Sequence, residues 1–132
     1  MPTIHPLQIV YIEHQDARLY AEVIQTANDD RIWSRPLMIV EGLPSHSIGR
    51  QQAISEAAID PNNSQLTLFD LEQSPDLVWP MAAFELALDT EFFSLMFHLK
   101  VNSNPSDSGE KAQAAFRHFL QGCWQPPRTV SG

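Results

Sequence analysis

The sequence predicts an α+β fold, in which a twisted antiparallel sheet of about five strands is followed by two α-helices packed on it. Three observations predict it. The segment from Leu7 to Val40 holds three β-prone runs, which turn-forming residues at 14–16 and 28–30 interrupt. Two shorter alternating runs follow between residues 65 and 79. Beyond residue 89, apolar side chains recur at helical spacing in two segments.

The first three runs, Leu7–Ile12, Arg18–Thr26 and Arg31–Val40, describe an antiparallel meander. Apolar residues occur on both faces of each run, so we expect helices to cover one face of the sheet and to cover the other only in part. Pro36 has no N–H to donate to a strand ladder. The third strand is therefore predicted to lie at an edge or to be bulged at this proline.

The segment Glu41–Ser64 loses this periodicity and is rich in Gly, Pro, Ser and Asn. Within it, Ile54, Ala57 and Ala58 recur at helical spacing, which allows one or two helical turns between Gln51 and Ile59. We interpret the segment as a long loop. Loops of this length in small domains are either functional or disordered.

Two short strands are predicted next, Gln65–Leu71 and Asp76–Trp79, and the second ends at a proline. A helical turn or two is predicted over Met81–Leu88. A helix over Glu91–Lys100 follows, with Asp89 or Thr90 as its N-cap. Its apolar side chains cover so much of the surface that it must be buried or form an interface. They are Phe92, Phe93, Leu95, Met96, Phe97 and Leu99.

The last helix has the clearest amphipathic pattern. Asp107 and Glu110 have the spacing of a capping box, and Gly122 is a plausible stop. Its apolar stripe consists of Ala112, Ala115, Phe116, Phe119, Leu120 and Cys123. The domain organisation is therefore a single domain over residues 1–124, followed by a flexible tail over 125–132.

Bulk composition limits the classes of function. The chain has 132 residues, of which 43 % are hydrophobic, enough to bury a core without disulfides or metals. Its net charge of −8 and its scattered basic residues argue against nucleic-acid binding. A single cysteine fits a reducing compartment, and neither a signal peptide nor a membrane-spanning run is recognised. These features predict a soluble, cytoplasmic protein.

Catalytic and metal motifs are weak. Cys123 completes the last apolar stripe, and His118 lies on a different face of that helix, so a buried cysteine is favoured over a nucleophile. Glu13, His14 and Asp16 place two carboxylates and an imidazole together, as an acid/base or metal site requires. The same residue types are common in hairpin turns for backbone reasons. No catalytic residue, metal site or cofactor is predicted.

Aromatic residues carry the strongest functional indication, because Trp and Tyr bury large areas at interaction hot spots. With two good helices and an apolar sheet, some apolar surface is expected to remain as a groove for an extended peptide. We predict that Trp33, Arg35, Leu37 and Trp79 bind a partner there, with Arg35 pairing with a terminal carboxylate or an acidic side chain. The leading prediction is a non-enzymatic protein-binding module.

Three segments, Gln8–Gln25, Arg31–Val40 and Asp76–Phe93, resemble a family of small cyanobacterial proteins. The shared features are the RLYAEVIQ strand, the W-x-RPL strand and the WP…ALDTE junction, which together cover about half of the chain and hold no catalytic motif. Within that group, element order and size are similar to the carboxysome assembly factor, whose sheet and two flanking helices form a groove for the C-terminal tail of a shell protein. The resemblance implies an assembly chaperone associated with carboxysomes, without cofactor or turnover.

Two alternatives remain at the level of the sequence. One is a metal-dependent or small-ligand enzyme that uses the Glu13–His14–Asp16 turn or a pocket under the 41–64 loop. The other is a peripheral subunit of a photosynthetic membrane complex.

Overall fold

A computed structural model describes residues 4–26, 30–60, 65–102 and 108–123. The strands are β1 (Ile9–His14), β2 (Ala17–Thr26), β3 (Arg31–Glu41), β4 (Thr67–Asp70), β5 (Leu77–Pro80) and β6 (Glu85–Leu86). The helices are α1 (Ser47–Ile59), α2 (Asp89–Asn102) and α3 (Ser108–Cys123), with a 3₁₀ turn over Met81–Ala83. The predicted α+β class is confirmed.

All strand pairs in the sheet are antiparallel, and the spatial order is β4-β3-β2-β1-β6. The short strand β5 pairs with the first half of β3, and β4 pairs with its second half. Strand β3 is therefore flanked on both sides, since β2 runs along its other edge.

The position of Pro36 explains how a proline fits in this central strand. The register between β2 and β3 shifts at this point, because Tyr20 pairs with Met38 whereas Ala21 pairs with Pro36. On the opposite side of β3, Pro36 falls between the residues paired with β5 and those paired with β4. Of the two alternatives predicted for this proline, an edge strand or a bulge, the structure has the bulge.

Helices cover both faces of the sheet, not one. On the first face, which we call the α3 face, α3 packs against alternate residues of β1 and β2 such as Leu19. On the second, the α1/α2 face, α1 and α2 pack against the intervening residues, such as Tyr20 and Met38. Each strand of the meander supplies a core on each side, which is why its apolar residues do not simply alternate with polar ones.

The predicted long loop contains α1, a helix of 13 residues. Only Ile54 and Ala57 of this helix are buried, so its apolar pattern is too sparse to identify it. Its other positions include Gln, Glu and Ala residues, whose intrinsic helix propensity supports the helix. The one or two turns expected over Gln51–Ile59 therefore extend back to Ser47.

The predictions for the second half of the chain are partly confirmed. Strands β4 and β5 form as predicted, whereas Met81–Leu88 holds a 3₁₀ turn and β6 in place of a helical turn. Helix α2 begins at Asp89, so the two predicted N-caps, Asp89 and Thr90, lie in its first turn. There the negative charge of Asp89 interacts favourably with the positive end of the helix dipole. The predicted stripe of α3 is confirmed, with Ala112 and Phe116 among its buried members. Asp107 and the 125–132 tail lie outside the described residues.

No helix within the described ranges combines the length and the hydropathy needed to cross a membrane.

Candidate functional site

The four residues predicted to bind a partner do not lie together. Leu37 packs against the core of the α1/α2 face, and Trp33 and Arg35 alternate with Ile32 and so share that face. Trp79 pairs with Ile32 and packs into the core of the α3 face, on the opposite side of the sheet. Trp79 is therefore separated from the other three by the thickness of the sheet.

A cleft of about 490 Å³ opens on the α1/α2 face, between α2 and the sheet. We call it the apolar cleft. Of the four predicted residues, Leu37 alone lines it. Its apolar lining consists of Leu7, Ile9, Leu37, Leu86, Ala87, Phe92, Phe93 and Met96, and its polar lining of Gln8, Glu22, Glu72 and Asp89.

Leu7, at the edge of the apolar cleft, is both strained and exposed. Its φ is +71°, a left-handed conformation that residues other than glycine rarely adopt. Two backbone bonds hold the turn: Leu7 N–H donates to the carbonyl of Val23 at 2.8 Å, and Val23 N–H donates to that of Gln8 at 2.9 Å. The Leu7 side chain is 78 % exposed. Backbone strain of this kind is found preferentially at ligand-binding positions.

A line of exposed apolar side chains continues from the cleft along α2. Phe93, Phe97 and Val101 are spaced four residues apart, which places them one above another on the helix surface. Each is more than 60 % exposed. We call these three residues the α2 stripe, and Phe93 belongs to both the stripe and the cleft. The predicted helix was too apolar to be covered on every side. Its uncovered apolar side chains are those of the α2 stripe.

The sequence placed Phe93 and Phe97 on an apolar helix that must be buried or form an interface, and it did not assign either residue to one or the other. Periodicity alone does not show which part of a broad apolar face meets the sheet. Phe92 and Leu95 are the residues that do so, with exposures of 3 % and 0 %. The excess of apolar residues around the whole helix was the signal for the interface alternative, and exposure of Phe93 and Phe97 identifies the side of the helix on which it lies.

The rim of the apolar cleft is acidic. Glu22, Glu72 and Asp89 line it, and no basic residue of the described chain does. The ammonium of Lys100 lies 2.5 Å from Glu72 Oε2 and 2.8 Å from Asp70 Oδ2, which fixes Glu72 near the C-terminal part of α2. Asp89 marks the opposite end of this helix.

Trp33 and Arg35 lie near the cleft but do not line it. The Trp33 side chain is 39 % exposed, and its indole N–H donates to Asp76 Oδ2 at 3.0 Å. Arg35 is exposed, pairs with Glu22 in the strand register, and forms no ion pair with any described residue. Both residues are accessible for contacts that extend beyond the cleft.

The Glu13–His14–Asp16 turn does not bring its three side chains to one point. Glu13 lies on the α1/α2 face, where it accepts hydrogen bonds from Arg18 and Arg50. His14 lies on the α3 face, with its ring edge-on to Phe119 at a centroid distance of 6.4 Å. Among the described residues, no three or more His, Cys, Asp or Glu side chains are placed to hold a metal ion.

The two arginines perturb the ionisation of Glu13. Burial by itself opposes ionisation, but the hydrogen bonds from Arg18 and Arg50 outweigh it and lower the pKa of the Glu13 carboxyl below its ordinary value. Arg50 comes from α1 and reaches Glu13 at 2.7 Å, while its Nε donates to the carbonyl of Pro44 at 2.7 Å. The carboxylate is thus a bridge between α1 and the β1–β2 hairpin.

This lowered pKa gives a pH-dependent stability. Because the folded-state pKa of Glu13 lies below the unfolded value, the carboxylate stabilises the fold at pH values above about 4.5. That contribution is lost as the pH falls through the folded-state pKa. We expect the urea concentration at the unfolding midpoint to fall as the pH is lowered from 5 through the folded-state pKa of Glu13. In the variant Glu13→Gln this fall should be less steep. An unchanged slope in that variant would contradict the assignment to Glu13.

Cys123 lies against the core of the α3 face and is half-buried, as predicted. Burial raises the pKa of its thiol to about 11, so the thiolate is scarce at neutral pH. His118 is exposed on the same helix. Gly122 lies within α3, not after it, and a Cβ there would meet His14 Nε2 at 2.8 Å, so the glycine permits close packing of α3 on the hairpin.

No family model, curated protein or solved structure matches this chain. The apolar cleft, its acidic rim and the α2 stripe therefore define the candidate site from the geometry of this chain itself.

Proposed function

We propose that this chain is a protein-binding module without catalytic turnover, which holds a segment of a partner protein in the apolar cleft and along the α2 stripe. The observation that carries the proposal is the continuity of the two surfaces through Phe93. Contiguous exposed apolar surface with a polar rim is typical of protein–protein interaction sites.

The size of the apolar surface suits a segment of moderate affinity. Burying a phenylalanine side chain contributes about 1.5–3 kcal/mol, and a micromolar complex needs about 8 kcal/mol in total. Phe93 and Phe97, which are 61 % and 64 % exposed, would supply a large part of this on being covered. The cleft adds Leu7 and Leu37, although association costs offset some of the gain.

The mode of binding differs from the one that the sequence suggested. Strand β3 pairs with β2 along one edge, and β5 and β4 occupy the other edge except around Pro36, which has no N–H to donate to a partner strand. Recognition would instead use side chains entering the cleft beside α2. Leu37 remains in the proposed site, Trp33 and Arg35 lie beside it, and Trp79 is no longer part of it.

The proposed biological role is that of an assembly factor. What supports it is the resemblance of the three segments to a family of small cyanobacterial proteins and, within that group, the similarity in element order and size to the carboxysome assembly factor. On this proposal the held segment is the tail of a shell protein, the chain works in the cytoplasm at carboxysomes, and no cofactor takes part. Partner identity is the part of the proposal that depends on the resemblance, whereas the binding site depends on the cleft.

Capture experiments test the proposal. We expect the double variant Phe93→Ala/Phe97→Ala to weaken binding of the partner by at least about 100-fold, because it removes the two largest exposed apolar side chains of the site. The measurement is capture of partner proteins by the tagged chain from its native cells, followed by titration with the purified partner. The matched control is Ile48→Ala/Ile59→Ala on α1, whose side chains are 83 % and 81 % exposed.

Equal losses in both double variants would mean that general surface hydrophobicity, not this site, is responsible. Full binding by the α2 variant would remove the α2 stripe from the interface. A partner found to be a carboxysome shell protein would support the proposed role, and any other single partner would leave the binding module but exclude that role.

A further inference from the structure

We infer that the segment held in the apolar cleft is cationic and amphipathic, with apolar side chains entering the cleft and Lys or Arg side chains pairing with Glu22 and Asp89. This inference rests on the proposed function and names the chemical class of the partner segment. It follows from the charge of the cleft, which its apolar character alone does not determine.

The charge argument begins with the lining. Three carboxylates and no basic residue of the described chain line the cleft. Glu72 already pairs with the Lys100 ammonium at 2.5 Å, so Glu22 and Asp89 supply the negative charge that a partner meets. The whole chain carries a net charge of −8, so its long-range field has the same sign as the rim. Apolar walls lower the local dielectric and strengthen such a field inside a cleft. A segment that presents a carboxylate there would be repelled, whereas a basic segment would be attracted and oriented.

The positions of the carboxylates indicate where the basic residues of the segment should be. Asp89 opens α2, and Glu72 is held by Lys100 near the other end of the helix. The helix rises about 16 Å over this interval. The apolar lining, including Phe93 and Met96, lies between the two ends. Because Lys100 already pairs with Glu72 at one end, we expect the complementary segment to place one basic residue at the Asp89 end of the apolar lining and another opposite Glu22.

The same charges disfavour a second copy of this chain as the occupant. Two clefts facing each other would bring two acidic rims together, and each copy would add its own charge of −8. Like charges placed opposite one another across an interface cost several kcal/mol and act against association. A partner of opposite charge meets no such penalty.

The inference also changes the role expected for Arg35. A terminal carboxylate paired with Arg35 would lie next to Glu22, which is its partner in the β2–β3 register, and outside the cleft lining. Glu22 and Asp89 together place two negative charges at the cleft, against this single exposed guanidinium outside it. The preferred segment is therefore an internal or tail sequence recognised through its basic side chains.

Fluorescence anisotropy with labelled peptides tests this inference. Three peptides share one apolar centre of Leu and Phe residues and carry basic, neutral or acidic flanks, and a fourth keeps the basic flanks but replaces the apolar centre by Ser and Gly. We expect the basic amphipathic peptide to bind at least about 10-fold more tightly than the neutral one and to lose affinity as salt rises from 50 to 200 mM. The acidic and Ser/Gly peptides should bind least.

Protein variants separate the rim from the rest of the acidic surface. The double variant Glu22→Gln/Asp89→Asn should reduce the preference for basic over neutral flanks to below about 3-fold, because it removes the two rim charges that Lys100 does not already pair with. Glu110→Gln on α3, an exposed carboxylate outside the cleft, should leave the preference unchanged. Thermal unfolding of each variant verifies that the fold is retained.

The possible outcomes distinguish this inference from the proposed function. Equal affinity for basic and neutral flanks, or preference for acidic flanks, would overturn the inference and leave the binding module standing. Equal binding of the Ser/Gly peptide would also overturn it, because charge alone would then explain the affinity. Failure of all four peptides to bind would overturn both.

Discussion

Replacing Glu13 by alanine will lower the free energy of unfolding by about 3 kcal/mol. The reason is that the substitution leaves Arg18, a residue that is only 5 % exposed, without the carboxylate that accepts its hydrogen bonds. Removing one partner of a buried ion pair typically costs about 3–5 kcal/mol, since the other charge remains desolvated. The Glu13 side chain is itself 27 % exposed, so water can replace part of the interaction and the lower end of that range applies.

The surroundings of Arg18 explain why it cannot simply move into water. Its guanidinium carbon lies 3.9 Å from the centroid of the Tyr11 ring, and its Nη1 donates to the Tyr20 hydroxyl at 3.2 Å. Tyr20 is 1 % exposed and packs against Phe92 of α2 at a ring-centroid distance of 5.6 Å. The network thus joins the β1–β2 hairpin to the helix that carries the apolar cleft, and its loss should loosen both.

Urea unfolding at pH 7 measures the effect, with Glu13→Gln as the isosteric control. The amide of the Gln variant retains one acceptor for Arg18 but carries no charge. We therefore expect its free energy of unfolding to lie between those of the wild type and the alanine variant. In Glu13→Ala/Arg18→Met the buried charge is removed together with its partner, and stability should partly recover. A loss of less than about 1 kcal/mol in Glu13→Ala would show that the network contributes little.

The parts of the fold that the sequence predicts correctly are those in which one residue pattern admits one arrangement. In α3, Ala112, Ala115 and Phe116 recur at the spacing of a single narrow stripe, and all three are buried. In the meander, the β-prone runs and the turn residues between them fix strand order, because hairpins connect neighbours in space. The bulge at Pro36 followed from the missing N–H of that residue.

The parts that the sequence does not predict depend on long-range choices. Helix α1 is held by Arg50, which reaches across 37 positions in sequence to Glu13, and no local pattern records that contact. Trp33 and Trp79 were predicted to contribute to the same partner-binding site. Their strand register puts them on opposite faces, and register is set by pairing partners, not by either strand alone.

The candidate site was predictable in kind but not in place. Surplus apolar surface followed from composition, since two clear helices could not cover an apolar sheet on both sides. Helix α1, which was not among the two clear helices of the sequence, covers part of that surface and buries Ile54 and Ala57. The apolar surface that stays exposed lies on α2, and not on β3 where it was predicted. The reason is that α2 buries Phe92 and Leu95 against the sheet and leaves Phe93 and Phe97 exposed to solvent.

Phe116→Ala and Phe97→Ala make the same chemical change on two helices, and we expect very different effects on the free energy of unfolding. Phe116 is 4 % exposed in the core of the α3 face, so its truncation should lower the free energy of unfolding by about 3–5 kcal/mol through lost burial and the cavity left behind. Phe97 is 64 % exposed, and its truncation should change stability by no more than about 0.5 kcal/mol.

Urea unfolding of the two variants, monitored by circular dichroism at two protein concentrations, measures this contrast. A large, concentration-dependent loss in Phe97→Ala would mean that the α2 stripe is already covered by another copy, which would contradict its role as a surface for a basic partner. A small loss, together with weaker partner binding in the same variant, would mean that Phe97 stabilises the complex and not the fold. That combination is what separates an interaction residue from a core residue, and exposure alone cannot distinguish a functional phenylalanine from a tolerated one.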